Sequence, residues 1–170
     1  MARAPADPTG AAARPRDPDR AAESGVLELE RFLPYRLSVV SNHISQTIAA
    51  IYQERFGLSI TEWRVLAVLG RYPGLSANGV AGRTAMDKVA VSRAVASLLK
   101  GGLIEREVHD SDRRRSVLRL SGEGDRVYDQ VAPMALAYER ELLAGFSAEE
   151  RATLDRLLTR LDLASRPPAP

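Results

Sequence analysis

The residues best suited to chemistry form one short run that combines a cation, small apolar side chains, a hydroxyl and an arginine: Lys88, Val89, Ala90, Ser92 and Arg93. Arg93 can donate two parallel hydrogen bonds to a guanine edge, and Val89 or Ala90 can contact a thymine methyl group. The short side chains and the hydroxyl permit close approach to a polar surface. This run therefore predicts contact with the base edges of duplex DNA. The alternative is a solvated helix face on which Lys88 and Arg93 contact only water.

A second basic cluster lies between two short strand-like runs and contains Arg113, Arg114 and Arg115, with Asp110 and Asp112 beside them. At the tip of a hairpin next to a DNA-reading helix, these arginines are well placed for a minor groove and its phosphates. Asp112 can hold one arginine in position. The alternatives are a solvated turn for the arginines and a plain turn residue for Asp112.

Sequence patterns typical of catalysis or cofactor binding are absent. The 170 residues contain no cysteine, which excludes disulfides, thiol nucleophiles and cysteine zinc sites. There is no nucleophile motif, glycine-rich phosphate loop or metal-ligand spacing. His43 and His109 stand apart from any carboxylate pattern that suggests catalysis. We therefore expect neither an enzyme nor a bound cofactor or metal.

The overall charge and hydropathy are those of an ordinary globular chain. There are 24 Lys and Arg against 22 Asp and Glu, a formal net charge of +2, so the placement of the cations matters more than their sum. No apolar run approaches the roughly 18 residues that indicate a membrane-spanning helix. The first ten residues lack the apolar segment of a secretory signal. We expect a cytoplasmic protein.

The element that must present the first cluster is a helix that begins after the N-cap Asp87 and ends at Lys100, before Gly101-Gly102. Its apolar residues lie on the side of the helix opposite Val89 and Arg93, so that one face can pack on the core while the other faces a DNA groove. The apolar residues are Val91, Val95, Leu98 and Leu99.

Three helices are predicted before this one. The first ends at Gly57 and has one apolar face, formed by Leu37, Val40, Ile44, Ile48 and Ile51. A capping box at residues 59–62 opens the second helix, which stops before Pro73-Gly74. Ser76 can cap a short third helix over residues 77 to about 83.

We call the helix that begins after Asp87 and ends at Lys100 the reading helix. After it, the spacing of the apolar residues changes from that of a helix to that of strands. Leu103–Val108 and Ser116–Leu120 predict a small hairpin. A helix then runs from residue 121 or 122 to Leu142, with a kink expected at Pro133. A second capping box at residues 147–150 opens the last helix. The order of helix, short helix, helix and hairpin is that of a winged helix-turn-helix.

The stretch from Gly57 to Gly124 resembles MarR-type transcriptional regulators. The motifs that carry the resemblance are DK-x-x-VSR-x-V-x-x-L from Asp87, GLIERE before the hairpin and D-x-DRR-x-x-x-L-x-LS across it. The resemblance implies a homodimer in which each winged helix-turn-helix reads half of a pseudo-palindromic operator. It also implies that Arg114 enters the minor groove with Asp112 as its salt-bridge partner. The sequence departs from the family pattern in two features: Gly79, which should weaken the third helix, and three successive arginines in the wing.

The predicted fold is mainly α, a winged helix-turn-helix with a small two-stranded β wing and an α-helical dimerisation lobe. Residues 25–58 and 121–165 are assigned to the dimerisation lobe and 59–120 to the DNA-binding lobe. The Pro/Ala/Arg-rich residues 1–24 and the terminal residues 166–170 are expected to be disordered tails.

The apolar residues of the last two helices predict the homodimer independently, because one small lobe cannot cover them all. They are Leu142, Leu143, Phe146, Leu154, Leu157, Leu158, Leu161 and Leu163. The alternative is packing of these residues against the first helix of the same chain.

The resemblance further implies a site for a small, often aromatic and anionic effector between the two lobes, whose binding releases DNA. The first helix offers polar residues beside its apolar face, and the second offers an aromatic ring and a cation. The candidate ligand contacts are Arg36, His43, Trp63 and Arg64. A carboxylate paired with Arg or His and a ring against Trp63 would form a reasonable pocket.

Each effector candidate also has an ordinary structural interpretation. Trp63 can be plain core, His43 a helix-surface or interface residue, and Arg64 the partner of Glu62 or Glu54. An effector of the aromatic acid or acyl thioester class is favoured by analogy alone.

Two other functions remain open from the sequence. A winged helix can bind another protein without specific DNA binding, although its reading helix and wing would then be poor in cations. An enzyme would have to assemble its site from scattered residues. The sequence does not decide between repression and activation, and the resemblance implies repression with ligand-induced release.

Overall fold

The computed structural model describes residues 27–108 and 116–166, and the predicted wing tip and the tails other than Arg166 lie outside this part of the chain. The described helices and strands follow the predicted order, and the protein is mainly α. They are α1 (Leu33–Phe56), α2 (Ile60–Arg71), α3 (Ala77–Thr84), α4 (Lys88–Lys100), β1 (Ile104–Val108), β2 (Ser116–Leu120), α5 (Gly122–Leu142) and α6 (Ala148–Ser165).

The predicted helix starts are confirmed by their capping hydrogen bonds. At α2 the Ser59 hydroxyl accepts from the Glu62 amide at 3.2 Å, and the Glu62 carboxylate accepts from the Ser59 amide at 2.8 Å. The same reciprocal pair occurs at α6 between Ser147 and Glu150. Ser76 caps α3 through the amide of Gly79. Local sequence chemistry thus determines where these helices begin.

Residues 44–166 form one compact unit, with its core around α2, α4 and the hairpin. The hairpin is antiparallel, with Ile104 opposite Leu120. Leu75 adds a single bridge to Leu118, so the wing is tied to the turn between α2 and α3. Apolar side chains that are almost completely buried form the centre: Val65, Leu66, Leu69, Val80, Val91, Leu98 and Leu118.

The described residues that precede Ile44 belong to a separate unit. Its described part, 27–43, contains a turn in which the Phe32 amide donates to the Glu28 carbonyl at 2.9 Å, followed by the first turns of α1. Most of its large apolar side chains are exposed, and Leu33 and Leu37 are examples. The assignment of 25–58 and 121–165 to a dimerisation lobe stays a prediction.

Two local features add to the sequence expectations. Helix α5 continues through Pro133, which lies inside it, and the kink expected there stays a prediction. Ala85, between α3 and α4, has a left-handed backbone with φ of 51°, a conformation that favours glycine. No helix in the described ranges is long and apolar enough to span a membrane.

Candidate nucleic-acid interface

Helix α4 separates a buried face from an exposed one, as its sequence predicts. Val91, Val95 and Leu98 are buried, and Ala94 joins them. On the other side Lys88, Val89, Ser92 and Arg93 are exposed, and Ala90 is half-buried. Val89 keeps 56% of its surface exposed. The exposed face is therefore available for contact with another molecule.

The N-terminus of α4 is held by Asp87. One carboxylate oxygen of Asp87 accepts hydrogen bonds from the amides of Val89 at 2.9 Å and Ala90 at 3.1 Å. These bonds satisfy two of the four amides that a helix start leaves free. The helical geometry of the first turn, which carries the candidate DNA contacts, is thus supported by its own cap.

Glu62 connects α2 to α4. Its carboxylate accepts from the Ser59 hydroxyl at 2.7 Å and from the Ser59 amide at 2.8 Å. Burial on its own would raise the pKa of Glu62, but hydrogen bonds from Ser97 of α4 and from Ser59 outweigh it and lower the pKa. The folded protein therefore favours the charged form of Glu62.

The C-terminus of α4 is fixed against the start of α5. The Ser121 hydroxyl donates to the Gly102 carbonyl at 2.6 Å and accepts from the Gly124 amide at 3.0 Å. The Ser121 amide donates to the Leu103 carbonyl at 3.1 Å. Both ends of the reading helix are thus held by specific hydrogen bonds.

The wing begins at this point, and its two strands are described up to Val108 and from Ser116. Arg119 and Glu107 form an exposed ion pair across the strands, with 3.0 Å between Nε and Oε2. The predicted tip contacts Asp112, Arg113, Arg114 and Arg115 lie outside the described residues. Their role in the minor groove stays a prediction.

An aromatic stack joins α1, α2 and α5 within the unit 44–166. The Trp63 ring lies 5.7 Å from the Tyr52 ring and 6.1 Å from the Tyr128 ring, centroid to centroid. Gly70 makes room for Tyr128, because a Cβ there would be 2.7 Å from that ring. Trp63 is half-buried, so it packs on the core and keeps part of its surface accessible.

A cation and an unpartnered hydroxyl lie close to this stack. Among the residues that the structure describes, the buried Tyr52 hydroxyl has no hydrogen-bond partner. Burial raises its pKa, and the positive charge of Arg64 opposes that shift. Arg64 donates to the Ser45 hydroxyl at 2.9 Å rather than to Glu62 or Glu54. Sequence reasoning selected Trp63 and Arg64 but missed Tyr52 and Tyr128, whose helical spacing gives no signal of a stack.

The remaining effector candidates, Arg36 and His43, lie on the first turns of α1 in the other unit, and both are exposed. The described residues contain no group of three His, Cys, Asp or Glu side chains arranged to hold a metal ion.

Comparison with known proteins identifies similar chains. Residues 56–115 match the model of the MarR family. The chain is 30% identical over 120 residues to a transcriptional regulatory protein of Thauera aromatica that is named for the hcr operon, covering 67% of this chain and 72% of that protein. A MarR/EmrR family transcriptional regulator from Acinetobacter sp. ADP1 has a TM-score of 0.76 and 28% identity, covering 81% of this chain and 97% of that one.

The PcaV transcriptional regulator of Streptomyces coelicolor, solved in complex with its natural ligand, has a TM-score of 0.66 and 24% identity. That match covers 83% of this chain and 99% of PcaV. At this identity the similarity is one of fold.

Proposed function

Because this chain belongs to the MarR family of transcriptional regulators and is a DNA-binding regulator rather than an enzyme, we propose that it acts as a homodimer on a pseudo-palindromic DNA site, with α4 in the major groove. The observation that carries this proposal is the exposed face of α4, where Lys88, Val89, Ser92 and Arg93 lie opposite the buried stripe. A helix with this division can be anchored by its core side while its first turn reads bases. A cytoplasmic location accompanies this role.

The homodimer is supported by the surface of the last two helices. No residue of α6 is buried, although Leu154, Leu157, Leu158 and Leu161 recur along it. Leu136 and Leu142 of α5 are exposed as well, and an apolar groove of about 350 Å³ runs beside them between α1 and α5. Exposed apolar residues that recur along two helices and border an apolar groove are typical of a subunit interface. Two copies would place their reading helices about one DNA turn, roughly 34 Å, apart.

The test of DNA recognition is affinity for duplex DNA at several salt concentrations. A labelled duplex selected from a random library should bind better than scrambled duplexes of the same length. Its log affinity should fall linearly with log salt, because phosphate contacts release counterions. A protein-interaction module would show little salt dependence and no preferred duplex. That result would overturn the proposal.

We further propose that the protein represses transcription and that a small aromatic acid or acyl thioester releases it from DNA. Support comes from Trp63, Arg64 and the unpartnered Tyr52 hydroxyl, which together offer a ring to stack on, a cation for a carboxylate and a spare hydrogen-bonding group. Arg36 and His43 stay candidates on the resemblance alone.

Thermal shift with a panel of aromatic acids and acyl-CoA thioesters tests this second proposal. A true effector should raise the melting temperature and weaken operator binding, because binding at two coupled sites is reciprocal. Arg64→Gln should reduce the thermal shift, whereas Arg71→Gln, at an exposed arginine of the same helix, should not. A panel without any stabilising compound, or stabilisation with unchanged DNA affinity, would contradict the proposal.

A further inference from the structure

A second cleft, separate from the aromatic stack, lies between the C-terminal ends of α2, α3 and α6. Its volume is about 680 Å³, which is within the range of pockets for small molecules. Its walls are lined by Val68, Tyr72, Gly82, Arg83, Ala85, Asp162, Ser165 and Arg166. None of these residues belongs to the predicted DNA or effector contacts, so neither role explains the cleft.

Arg83 is the principal cation of this cleft. Its guanidinium carbon lies 3.8 Å from the centroid of the Tyr72 ring, and that of Arg71 lies 5.0 Å from the same centroid. A guanidinium group that stacks on an aromatic ring is held in one orientation, while the N–H groups at its edge stay free to donate. Within residues 27–108 and 116–166 the structure gives Arg83 no hydrogen bond or ion pair; its interaction is with the ring.

The opposite wall of the cleft comes from the end of α6. Arg166 there forms an ion pair with Asp162 one turn earlier. The lining thus contains two guanidinium groups and one carboxylate, which leaves one positive charge in excess. Arg71 adds a further cation next to the cleft through its contact with Tyr72. The local charge favours an anion over a neutral or cationic ligand.

We propose that this cleft binds a small molecule that carries a carboxylate or phosphate group, and that Arg83 is its main contact. The planar edge of a stacked guanidinium matches the two oxygens of either group. Val68 and Ala85 give the cleft an apolar part against which the rest of the ligand can lie. The lining combines α3, whose end leads into α4, with α6. A ligand in the cleft would therefore contact both α3 and α6.

The experiment uses calorimetric titration of the full-length protein without DNA, at constant ionic strength set with chloride. The probes are inorganic phosphate, pyrophosphate and citrate. We expect saturable binding of at least one probe to one site per chain. Binding of the phosphates without citrate identifies a phosphate ligand, and the reverse identifies a carboxylate.

Three variants assign the site. Arg83→Gln should weaken binding of the active probe at least tenfold, and Arg83→Lys should weaken it less because the charge remains while the planar fork is lost. Arg140→Gln, which changes an exposed arginine of α5 outside the cleft, should bind within twofold of the wild type. A thermal melt of each variant checks that the fold is intact.

Two results would overturn the proposal. One is the absence of saturable binding for all three probes, which would leave the DNA backbone as the partner of Arg83. The other is unchanged probe affinity in folded Arg83→Gln. Both measurements omit DNA, so they do not depend on the operator-binding proposal.

Discussion

The backbone carbonyl of Leu103 lies against Gly124, and a Cβ at position 124 would be 1.9 Å from its oxygen. The same carbonyl accepts the Ser121 amide at 3.1 Å. Leu103 connects the reading helix to β1, and Gly124 lies in the first turn of α5. The absence of a side chain at Gly124 therefore lets α5 approach the wing closely and fixes where the wing starts.

Gly124→Ala should destabilise the fold by about 3 kcal/mol, because the added methyl group meets backbone that cannot move like a flexible side chain. Urea denaturation measures the change. The control is Gly122→Ala, two residues earlier in the same helix, where a Cβ meets nothing within 4 Å. Equal stability of the two variants would mean that the close approach does not exist in solution.

Arg93→Ala should reduce operator affinity by roughly 1–3 kcal/mol and relax the base preference at one position. The reason is the loss of a guanidinium on the exposed face of α4. Fluorescence anisotropy with the preferred duplex and single-base variants measures both effects. Arg156→Ala on α6 is the matched control and should bind normally. If Arg93→Ala weakened all duplexes equally, Arg93 would contact phosphate rather than bases.

Arg114→Ala should weaken operator binding several-fold and lower the slope of log affinity against log salt by about one. This follows from its predicted place at the wing tip, next to a minor groove. Arg113→Ala and Arg115→Ala, measured in the same way, show which of the three arginines has the largest effect. Sedimentation should find the same oligomer in all three variants. Unchanged affinity of Arg114→Ala would reject its role.

Leu157→Glu should convert the dimer to a monomer, because it places a charge in the proposed apolar interface. Leu157 keeps 46% of its surface exposed in the single chain. Sedimentation velocity measures the oligomer. The control is Val89→Glu, which also charges an exposed apolar residue but on the reading helix, and should leave the dimer intact while it weakens DNA binding. A wild-type protein that is monomeric would contradict the interface itself.

Glu62→Gln should lower the free energy of unfolding at neutral pH by about 0.5–1 kcal/mol through the weaker α2 cap. The folded-state pKa of Glu62 is below its ordinary value of 4.5. Between these two pKa values the unfolded chain therefore binds more protons than the folded chain does. The advantage of the wild type over the variant is therefore complete above pH 4.5 and shrinks as the pH falls through the folded pKa.

Denaturant titrations from pH 7 to pH 3 measure this difference. Ser97→Ala removes one of the hydrogen bonds that lower the pKa, so the advantage of Glu62 should be smaller in that background. A difference between wild type and Glu62→Gln that stays constant over the whole range would show that the charge of Glu62 plays no part.

The sequence alone determined the helix starts and the two faces of α4. Capping by Ser59, Ser147 and Asp87 depends on hydrogen bonds within three residues, so spacing predicts it directly. The opposition of Val91 and Arg93 follows in the same way from helical periodicity. These local rules also located the reading helix and the hairpin, and hence the candidate DNA contacts in α4.

Contacts between distant segments were decided only by the tertiary structure. The stack of Tyr52, Trp63 and Tyr128, the fit of Gly124 against Leu103 and the cleft around Arg83 each join residues from different helices or loops. Local spacing contains no information about which helices pack together, because that choice depends on the shape and burial of whole apolar faces.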